Sequence, residues 1–242
     1  MKIHGLQKMT LLDFPGRVAC TVFLGGCDLR CPYCHNYELA TGKVPPVMEE
    51  EELFSFLAKR KGLIDGVAIT GGEPCLHRDL PDFMARIREL GYAVKLDTNG
   101  THPAMLREIL ERGLADYVAM DIKNCPDKYA MTTGLEGPDL HMDPDTLERT
   151  VLRPVRESAE LLKNSGIEYE FRTTVVDQLH EAADFEEIGK WIEGAKHYFL
   201  QCFTDRDTVP YGGLSAPSKE KLKACAERAG EYVKDVQIRG VD

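Results

Sequence analysis

The stretch at residues 17–36, RVACTVFLGGCDLRCPYCHN, predicts a strand that runs directly into an irregular loop. Its first half is apolar and β-branched, as is typical of a buried strand. Cys27, Cys31 and Cys34 follow at spacings that would place all three on one face of a helix. However, glycines precede them and Pro32 lies among them, and both residue types end helices. We therefore expect three thiols on a loop at the carboxyl end of a strand.

The rest of the chain alternates between strand-like and helix-like segments. Six main predicted strands and a seventh terminal one occupy residues 17–25, 66–70, 93–97, 117–121, 168–176, 197–203 and 236–239. Segments with helical spacing of apolar residues lie at 48–61, 80–90, 103–112, 145–164, 183–193 and 218–230. Such alternation is typical of parallel strands joined by right-handed crossovers. We predict an α/β fold, a partial parallel (β/α)6 barrel formed by residues 1–242 as a single domain, with the long loops at 124–144 and 204–217 as functional lids.

Composition limits the class of protein. A net charge of −10 over 242 residues argues against a nucleic-acid partner. The sequence contains no apolar run near the ~18 residues of a membrane span, and its first residues lack the apolar core of a signal peptide. We therefore expect a cytoplasmic protein without membrane contact, in which the eight cysteines stay reduced.

The unusual polar segments follow the predicted strands in order. They are the cysteine loop, GGEP at 71–74, DTNG at 97–100, DIK at 121–123, Arg172 in the fifth strand and Gln201 late in the sixth. In a parallel barrel the carboxyl ends of the strands converge on the face where active sites lie. These placements predict one site at that face.

Three close thiols have more than one interpretation. Three thiolates on a [4Fe–4S] cluster would leave one iron open to a small molecule. Zinc with a nitrogen ligand is the rival, although His35 adjoins Cys34 and is poorly placed as a fourth ligand. Buried free thiols are the simplest alternative, but these have no reason to gather on a Gly/Pro loop.

Three further cysteines map to the predicted active face, namely Cys75, Cys125 and Cys202. They lack the close spacing that is typical of a second cluster. We interpret them as isolated thiols.

The motifs together resemble a known family. C-x-x-x-C-x-x-C with an aromatic residue before the last cysteine is similar to the signature of radical S-adenosylmethionine enzymes. The longer stretch LLDFPGRVACTVFLGGCDLRCPYCHN, followed by GGEP, DTNG and DIK, resembles the glycyl-radical-enzyme activating enzymes. Within these it is most similar to the activating proteins of anaerobic ribonucleoside-triphosphate reductase. The resemblance covers residues 1–203.

The resemblance implies two cofactors, one [4Fe–4S] cluster per chain on Cys27, Cys31 and Cys34, and S-adenosylmethionine. The S-adenosylmethionine contacts that it implies are Tyr33, His35, Gly71, Gly72, Glu73, Asp97, Asp121, Lys123 and Arg172. In this assignment the GGEP turn and the DTNG aspartate accept from the amine, and the DIK lysine binds the carboxylate. The DIK aspartate holds the ribose, and the two aromatic residues of the cysteine loop pack the adenine.

Several of these residues have structural alternatives. Asp97 is also a typical turn former that caps its own backbone. Asp121 and Lys123 are alternatively a solvated ion pair, and Arg172 a partner for an acid on a neighbouring strand. His35 suits a hydrogen bond within its loop as well as an adenine contact.

The resemblance implies an activating function. The enzyme would take a hydrogen from a glycine of a partner, expected to be the anaerobic ribonucleotide reductase, using electrons from a flavodoxin or ferredoxin. Asp13, in the DFPG segment before the first predicted strand, would meet the partner's backbone. One alternative is a radical enzyme acting on a small molecule, such as the synthases of deazapurine precursors. Another is a zinc-dependent binding module, which the alignment of motifs with strand ends disfavours.

Overall fold

The computed structural model describes residues 1–137 and 140–241 and contains helices and strands in alternation. The strands are β1 Lys2–Ile3, β2 Gly5–Thr10, β3 Ala19–Leu24, β4 Met48–Glu49, β5 Gly66–Gly71, β6 Ala93–Thr98, β7 Tyr117–Asp121, β8 Glu136–Gly137, β9 Leu140–His141, β10 Glu168–Val175, β11 Tyr198–Cys202 and β12 Val236–Arg239. The α-helices are α1 Tyr37–Ala40, α2 Glu50–Lys59, α3 Leu80–Glu89, α4 Pro103–Glu111, α5 Tyr129–Thr132, α6 Pro144–Leu147, α7 Arg153–Asn164, α8 Asp184–Trp191 and α9 Lys219–Ala229.

These elements fall into two compact units. The first unit comprises Met1–Asp28, Glu38–Thr98 and Ala104–Ala119, and the second comprises Leu29–Tyr37, Asn99–Pro103 and Met120–Asp242.

In the first unit, β3, β5 and β6 are parallel neighbours, and β2 lies antiparallel beside β3. The register aligns Thr21 with Ala68 and Ala68 with Lys95, so these three side chains share one face of the sheet. β3 is almost wholly buried because its residues are apolar or β-branched. A capping box between Glu49 and Glu52 begins α2 and satisfies backbone donors that the first helical turn leaves open.

In the second unit, β10, β11 and β12 form a parallel set. The amide of Ile122, just after β7, donates to the Arg172 carbonyl of β10 at 2.8 Å. Helices α8 and α9 pack against each other. Their buried faces carry Phe185, Ile188 and Leu222, in keeping with the helical spacing of apolar residues in the sequence.

The predicted α/β class with a mostly parallel sheet is confirmed. All seven predicted strands are present, and the predicted helix at 145–164 consists of α6, a π-helical turn at Glu148–Leu152 and α7. The formation of a single domain by residues 1–242 stays a prediction. In the described part of the chain, no helix is long and apolar enough to cross a membrane.

Two segments differ from the expectation. β2 was not predicted, because its sequence GLQKMT is polar and half exposed. The segment 124–144 is also not a simple loop, since it contains a 3-10 turn at Pro126–Lys128, α5 and the short hairpin β8–β9. Pro138 and Asp139 of this segment lie outside the described residues.

Candidate functional site

In the first unit, the GGEP turn after β5 lies directly against the beginning of the cysteine loop. The Gly72 amide donates to the Leu24 carbonyl at 2.9 Å, and the Glu73 amide donates to the Gly26 carbonyl at 2.8 Å. A Cβ atom on Gly72 would lie 1.8 Å from the Gly26 carbonyl oxygen. This approach of two backbones is possible only without a side chain, which is the physical reason for glycine at position 72.

The Glu73 carboxylate is buried in the same unit, with 1% of the residue exposed. Its Oε1 accepts from the Cys75 amide at 2.9 Å and from the Thr98 hydroxyl at 2.7 Å. Glu73 therefore fastens the turn to the end of β6, and any contact with a cofactor amine would share the carboxylate with these two bonds.

Asp97 lies at the end of β6 beside a buried lysine that was not predicted as a site residue. Lys95 precedes it by two positions on the same face of the strand, and the Lys95 ammonium binds the Asp97 carboxylate directly. Only 2% of Lys95 is exposed. The available signal was a lysine two residues before an aspartate in an otherwise apolar strand, since a buried lysine needs a carboxylate partner.

The DFPG segment lies toward the other end of the first unit's strands. Thr21, the third residue of β3, donates its hydroxyl to Asp13 at 2.5 Å. The Phe14 ring covers Gly66, the first residue of β5. The structure therefore ties Asp13 to β3 and does not bring it to the GGEP turn. A cleft of about 310 Å³ lined by Arg17 and Asp65 also lies at this amino end, away from the predicted motifs.

In the second unit, the predicted residues of DIK and β10 form one ion cluster. Lys123 Nζ donates to Asp121 Oδ2 at 2.9 Å, and Arg172 Nε donates to Asp121 Oδ1 at 2.8 Å. Their side chains are 17%, 29% and 14% exposed for Lys123, Asp121 and Arg172. The cluster thus brings two cations to one carboxylate.

The cluster perturbs the protonation of its members. Burial is the largest influence on the Asp121 pKa and raises it, but attraction by Arg172 and Lys123 outweighs burial and holds the pKa well below its usual value. Burial likewise opposes the charge on Lys123, and Asp121 raises its pKa well above the ordinary value. All three groups are therefore charged at neutral pH.

The cysteine loop continues in the second unit with Cys31, Tyr33 and Cys34, whereas Cys27 belongs to the first. Burial raises the pKa of Cys31 to about 11, and the nearby Lys123 ammonium opposes this increase. The pKa of Cys34 is also raised, because burial outweighs the opposing influence of Lys123. Burial outweighs Lys123 at both residues and favours the thiol form, whereas a metal binds the deprotonated thiolate.

Tyr33 supplies a second observation that fits a bound group. Only 5% of this residue is exposed, and its hydroxyl has no hydrogen-bond partner among the described residues. Buried hydroxyls are normally bonded. This orphaned hydroxyl, near Lys123 and Cys31, fits a polar ligand in the second unit.

His35 makes a bond within the protein and also presents an aromatic surface. Its Nε2 lies 2.7 Å from the Thr204 carbonyl, and its ring stacks on Phe203 with 5.6 Å between the ring centroids. The edge of Tyr33 contacts the same phenylalanine. Phe203 was not predicted as a site residue, and the adenine contact of His35 stays a prediction.

The remaining cysteines have separate surroundings. Cys75 is buried in the first unit, and in the second Cys125 donates to Asp184 at 3.6 Å, while Cys202 is half-buried. Among residues 1–137 and 140–241, no group of three or more His, Cys, Asp and Glu side chains is arranged to hold a metal ion. The assignment of a cluster to Cys27, Cys31 and Cys34 therefore depends on their spacing, on the polar surroundings of the loop and on family membership.

Comparisons of the sequence identify relatives. Residues 21–192 match the family described as the Radical SAM superfamily. The chain is 31% identical over 246 residues to a Methanocaldococcus jannaschii protein provisionally named a glycyl-radical enzyme activating enzyme, covering 99% of this chain and 96% of the relative. It is 37% identical over 142 residues to the pyruvate formate-lyase-activating enzyme of Clostridium pasteurianum, and the match covers 55% of this chain and 57% of that enzyme. It is 32% identical over 171 residues to the 7-carboxy-7-deazaguanine synthase of Thermococcus kodakarensis, and the match covers 62% of this chain and 61% of that synthase.

Comparisons of the structure identify the fold. Streptococcus suis SuiB bound to its precursor peptide SuiA matches with a TM-score of 0.67 at 13% identity, over 91% of this chain and 48% of SuiB. The chain thus spans about half the length of SuiB. TYW1 with a lysine-pyruvate adduct matches with a TM-score of 0.59 at 14% identity, over 89% of this chain and 74% of TYW1. Because the family match covers most of the sequence and carries the cysteine loop, GGEP, DTNG and DIK, the chain belongs to the radical SAM superfamily.

Proposed function

We propose that this protein is an activating enzyme that cleaves S-adenosylmethionine reductively and takes an α-hydrogen from a glycine of a partner enzyme. The observation that carries this proposal is the end-to-end similarity to the M. jannaschii protein, over 99% of this chain and 96% of that one. We propose anaerobic ribonucleoside-triphosphate reductase as the partner and a flavodoxin or ferredoxin as the electron donor, from the resemblance of the motifs.

The superfamily implies a [4Fe–4S] cluster and S-adenosylmethionine. Cys27, Cys31 and Cys34 would hold the cluster. Together the two cofactors supply a deoxyadenosyl radical, the species that removes hydrogen. The charge of Lys123 opposes, without cancelling, the increase that burial causes in the pKa values of Cys31 and Cys34.

The ion cluster of Asp121, Lys123 and Arg172 would bind the carboxylate of S-adenosylmethionine. Lys123 and Arg172 are the two cations of the cluster, and a carboxylate forms charge-assisted hydrogen bonds with such groups. Both Asp121 oxygens already accept a bond from a cation, so a ribose hydroxyl would use their remaining lone pairs. The unpartnered Tyr33 hydroxyl would gain a partner when a polar ligand binds nearby.

In the first unit, the GGEP turn and Asp97 would accept from the cofactor's amine. The Gly71 and Gly72 carbonyls and the two carboxylates are the available acceptor types. Lys95 and Thr98 would orient these carboxylates through the bonds described above.

We keep Asp13 as a candidate contact to the partner's peptide backbone. Its bond to Thr21 supports a second role, which is to hold the DFPG segment on β3. Cleavage of S-adenosylmethionine without partner separates the two roles: an Asp13→Ala variant that retains this cleavage but activates the partner slowly has lost only peptide binding.

One further function is favoured by a specific observation, the similarity to 7-carboxy-7-deazaguanine synthase over 62% of this chain. The alternative is a radical enzyme that acts on a deazapurine precursor. The partial coverage places it second to the activating function.

The test is electron paramagnetic resonance of the reconstituted protein with S-adenosylmethionine, a reductant and the candidate reductase. We expect a glycyl radical on the reductase with the parent and with Cys225→Ala, which removes a buried thiol of α9, and none with Cys31→Ala. A Cys31→Ala protein that still forms the radical would contradict the cluster assignment. Absence of the radical, together with deoxyadenosine release that requires a deazapurine precursor, would replace the proposal with the alternative.

A further inference from the structure

The DIK segment continues beyond the end of β7 without a regular strand ladder to hold it. β7 ends at Asp121, and the Lys123 ammonium, two residues further on, donates to that carboxylate. The Ile122 amide is held by the Arg172 carbonyl at 2.8 Å, and the Ile122 carbonyl accepts from the Thr173 hydroxyl at 2.6 Å. The next carbonyl, that of Lys123, is held by a side chain from a distant part of the sequence.

That side chain is His180, which is fully buried just after β10. Its Nε2 lies 2.9 Å from the Lys123 carbonyl oxygen, and the Val176 amide donates to its Nδ1 at 3.1 Å. Because an amide can only donate, Nδ1 must be the acceptor and Nε2 must carry the proton. One neutral imidazole therefore links the end of β10 to the backbone of Lys123.

The surroundings of His180 keep this arrangement fixed. Phe185 packs against the ring at 6.0 Å between centroids. The neighbouring Asn124 is fully buried and donates to the Leu179 carbonyl at 3.0 Å, which joins the same two segments a second time. The charged groups near the ring are Asp184 and Lys128, which bind each other at 2.8 Å.

We propose that His180 is a positioning residue that aligns Lys123 for the carboxylate of S-adenosylmethionine. This rests on the proposed function of Lys123, because His180 acts through the Lys123 carbonyl and touches no cofactor itself. The imidazole supplies the hydrogen bond that a continuing strand would otherwise give, and thereby sets the direction in which the lysine side chain leaves the backbone.

Replacing His180 by glutamine or by asparagine distinguishes between the two hydrogen bonds of the imidazole, because each side chain carries an amide at a different distance from the backbone. In His180→Gln the side-chain amide can occupy the Nε2 position and still donate to the Lys123 carbonyl. In His180→Asn the amide oxygen can occupy the Nδ1 position and still accept from Val176, but the bond to Lys123 is lost. Both variants lose the ring packing, so each is the control for the other.

The experiment measures the S-adenosylmethionine dissociation constant of the cluster-loaded protein and hydrogen exchange of residues 121–125 in the cluster-free protein. We expect affinity to fall roughly tenfold in His180→Asn and to stay within about twofold in His180→Gln, as loss of one buried hydrogen bond predicts. Exchange of residues 121–125 should accelerate in His180→Asn only. In a Lys123→Ala background, His180→Asn should produce no further loss of affinity.

Equal loss in both His180 variants, or a loss that persists in the Lys123→Ala background, would overturn the proposal and assign His180 to folding alone. If the parent protein itself fails to bind S-adenosylmethionine, the proposed function fails. The exchange comparison then still decides whether His180 holds the Lys123 segment.

Discussion

At the scale of single residues, the buried Lys95 and the half-buried Lys123 follow the same rule. Lys95 binds Asp97 and Lys123 binds Asp121, in each case two positions away along the chain. Burying an ammonium is costly unless a carboxylate compensates for the lost water. Each pair therefore fixes a charged aspartate in place.

The Lys123 pair gives a prediction for cofactor affinity. Lys123→Ala removes one of the two cations of the Asp121 cluster, and a charge-assisted contact contributes about 1.5–3 kcal/mol. We expect S-adenosylmethionine binding, measured by calorimetry on the cluster-loaded protein, to weaken by roughly ten- to a hundredfold.

The matched control is Lys196→Ala, because the Lys196 side chain is 44% exposed and its ammonium lies 3.4 Å from Glu168. An exposed ion pair of this kind contributes little to stability. The Lys196→Ala protein should therefore bind S-adenosylmethionine with the affinity of the parent. If Lys123→Ala also binds S-adenosylmethionine like the parent, Lys123 is not the carboxylate ligand.

The sequence indicated all three members of the ion cluster but not His180, which holds the Lys123 carbonyl. The resemblance to the family implied roles for Asp121 and Lys123, and alternation along a strand would place both on one face. His180 was missed because nothing near it in sequence reports that Lys123, 57 positions earlier, is its hydrogen-bond partner. Contacts of such long sequence separation are set by the pairing of β7 and β10 ends and need the folded chain.

At the scale of elements, the strands were more predictable from the sequence than the segments that connect them. The apolar, β-branched runs identified β3, β5, β6, β7, β10 and β11, because buried parallel strands have that composition. The segment 124–144 contains short elements such as α5, which is a single turn and has no periodic pattern to detect. The close backbone contact behind GGEP was also not predictable, although the two glycines indicated a turn.

That contact gives a prediction for the turn as an element. In Gly72→Ala, the new methyl group would lie 1.8 Å from the Gly26 carbonyl oxygen, so one of the two backbones must move. Displacing backbone in this way costs on the order of 3–5 kcal/mol. We expect the midpoint of thermal unfolding to fall by about 10 °C or more, and the iron content after reconstitution to fall with it.

Gly212→Ala is the comparison, because a Cβ atom there meets nothing within 4 Å. Its unfolding midpoint and iron content should match those of the parent. A Gly72→Ala protein as stable as Gly212→Ala would show that the two loops do not pack as described.

At the scale of the whole molecule, membership of the superfamily follows from motifs that the sequence displays directly. The alternation of strand-like and helix-like segments predicted the α/β fold, and the cysteine spacing with GGEP, DTNG and DIK in order indicated the radical SAM superfamily. The partner was predicted only by resemblance. Recognition of a polypeptide depends on the shape of a surface, and a short motif of fixed spacing does not encode that shape. The decisive test of the proposed function is therefore to trace the hydrogen atom that leaves the partner's glycine.

That test is the mass of the deoxyadenosine released when the reconstituted protein acts on a reductase labelled with deuterium at the α-carbon of its glycines. The account predicts deoxyadenosine that carries deuterium, and loss of this label when the radical-site glycine of the reductase is replaced by alanine. Deoxyadenosine without deuterium from the labelled reductase, while S-adenosylmethionine is being cleaved, would contradict the claim that this protein takes its hydrogen from a partner's glycine.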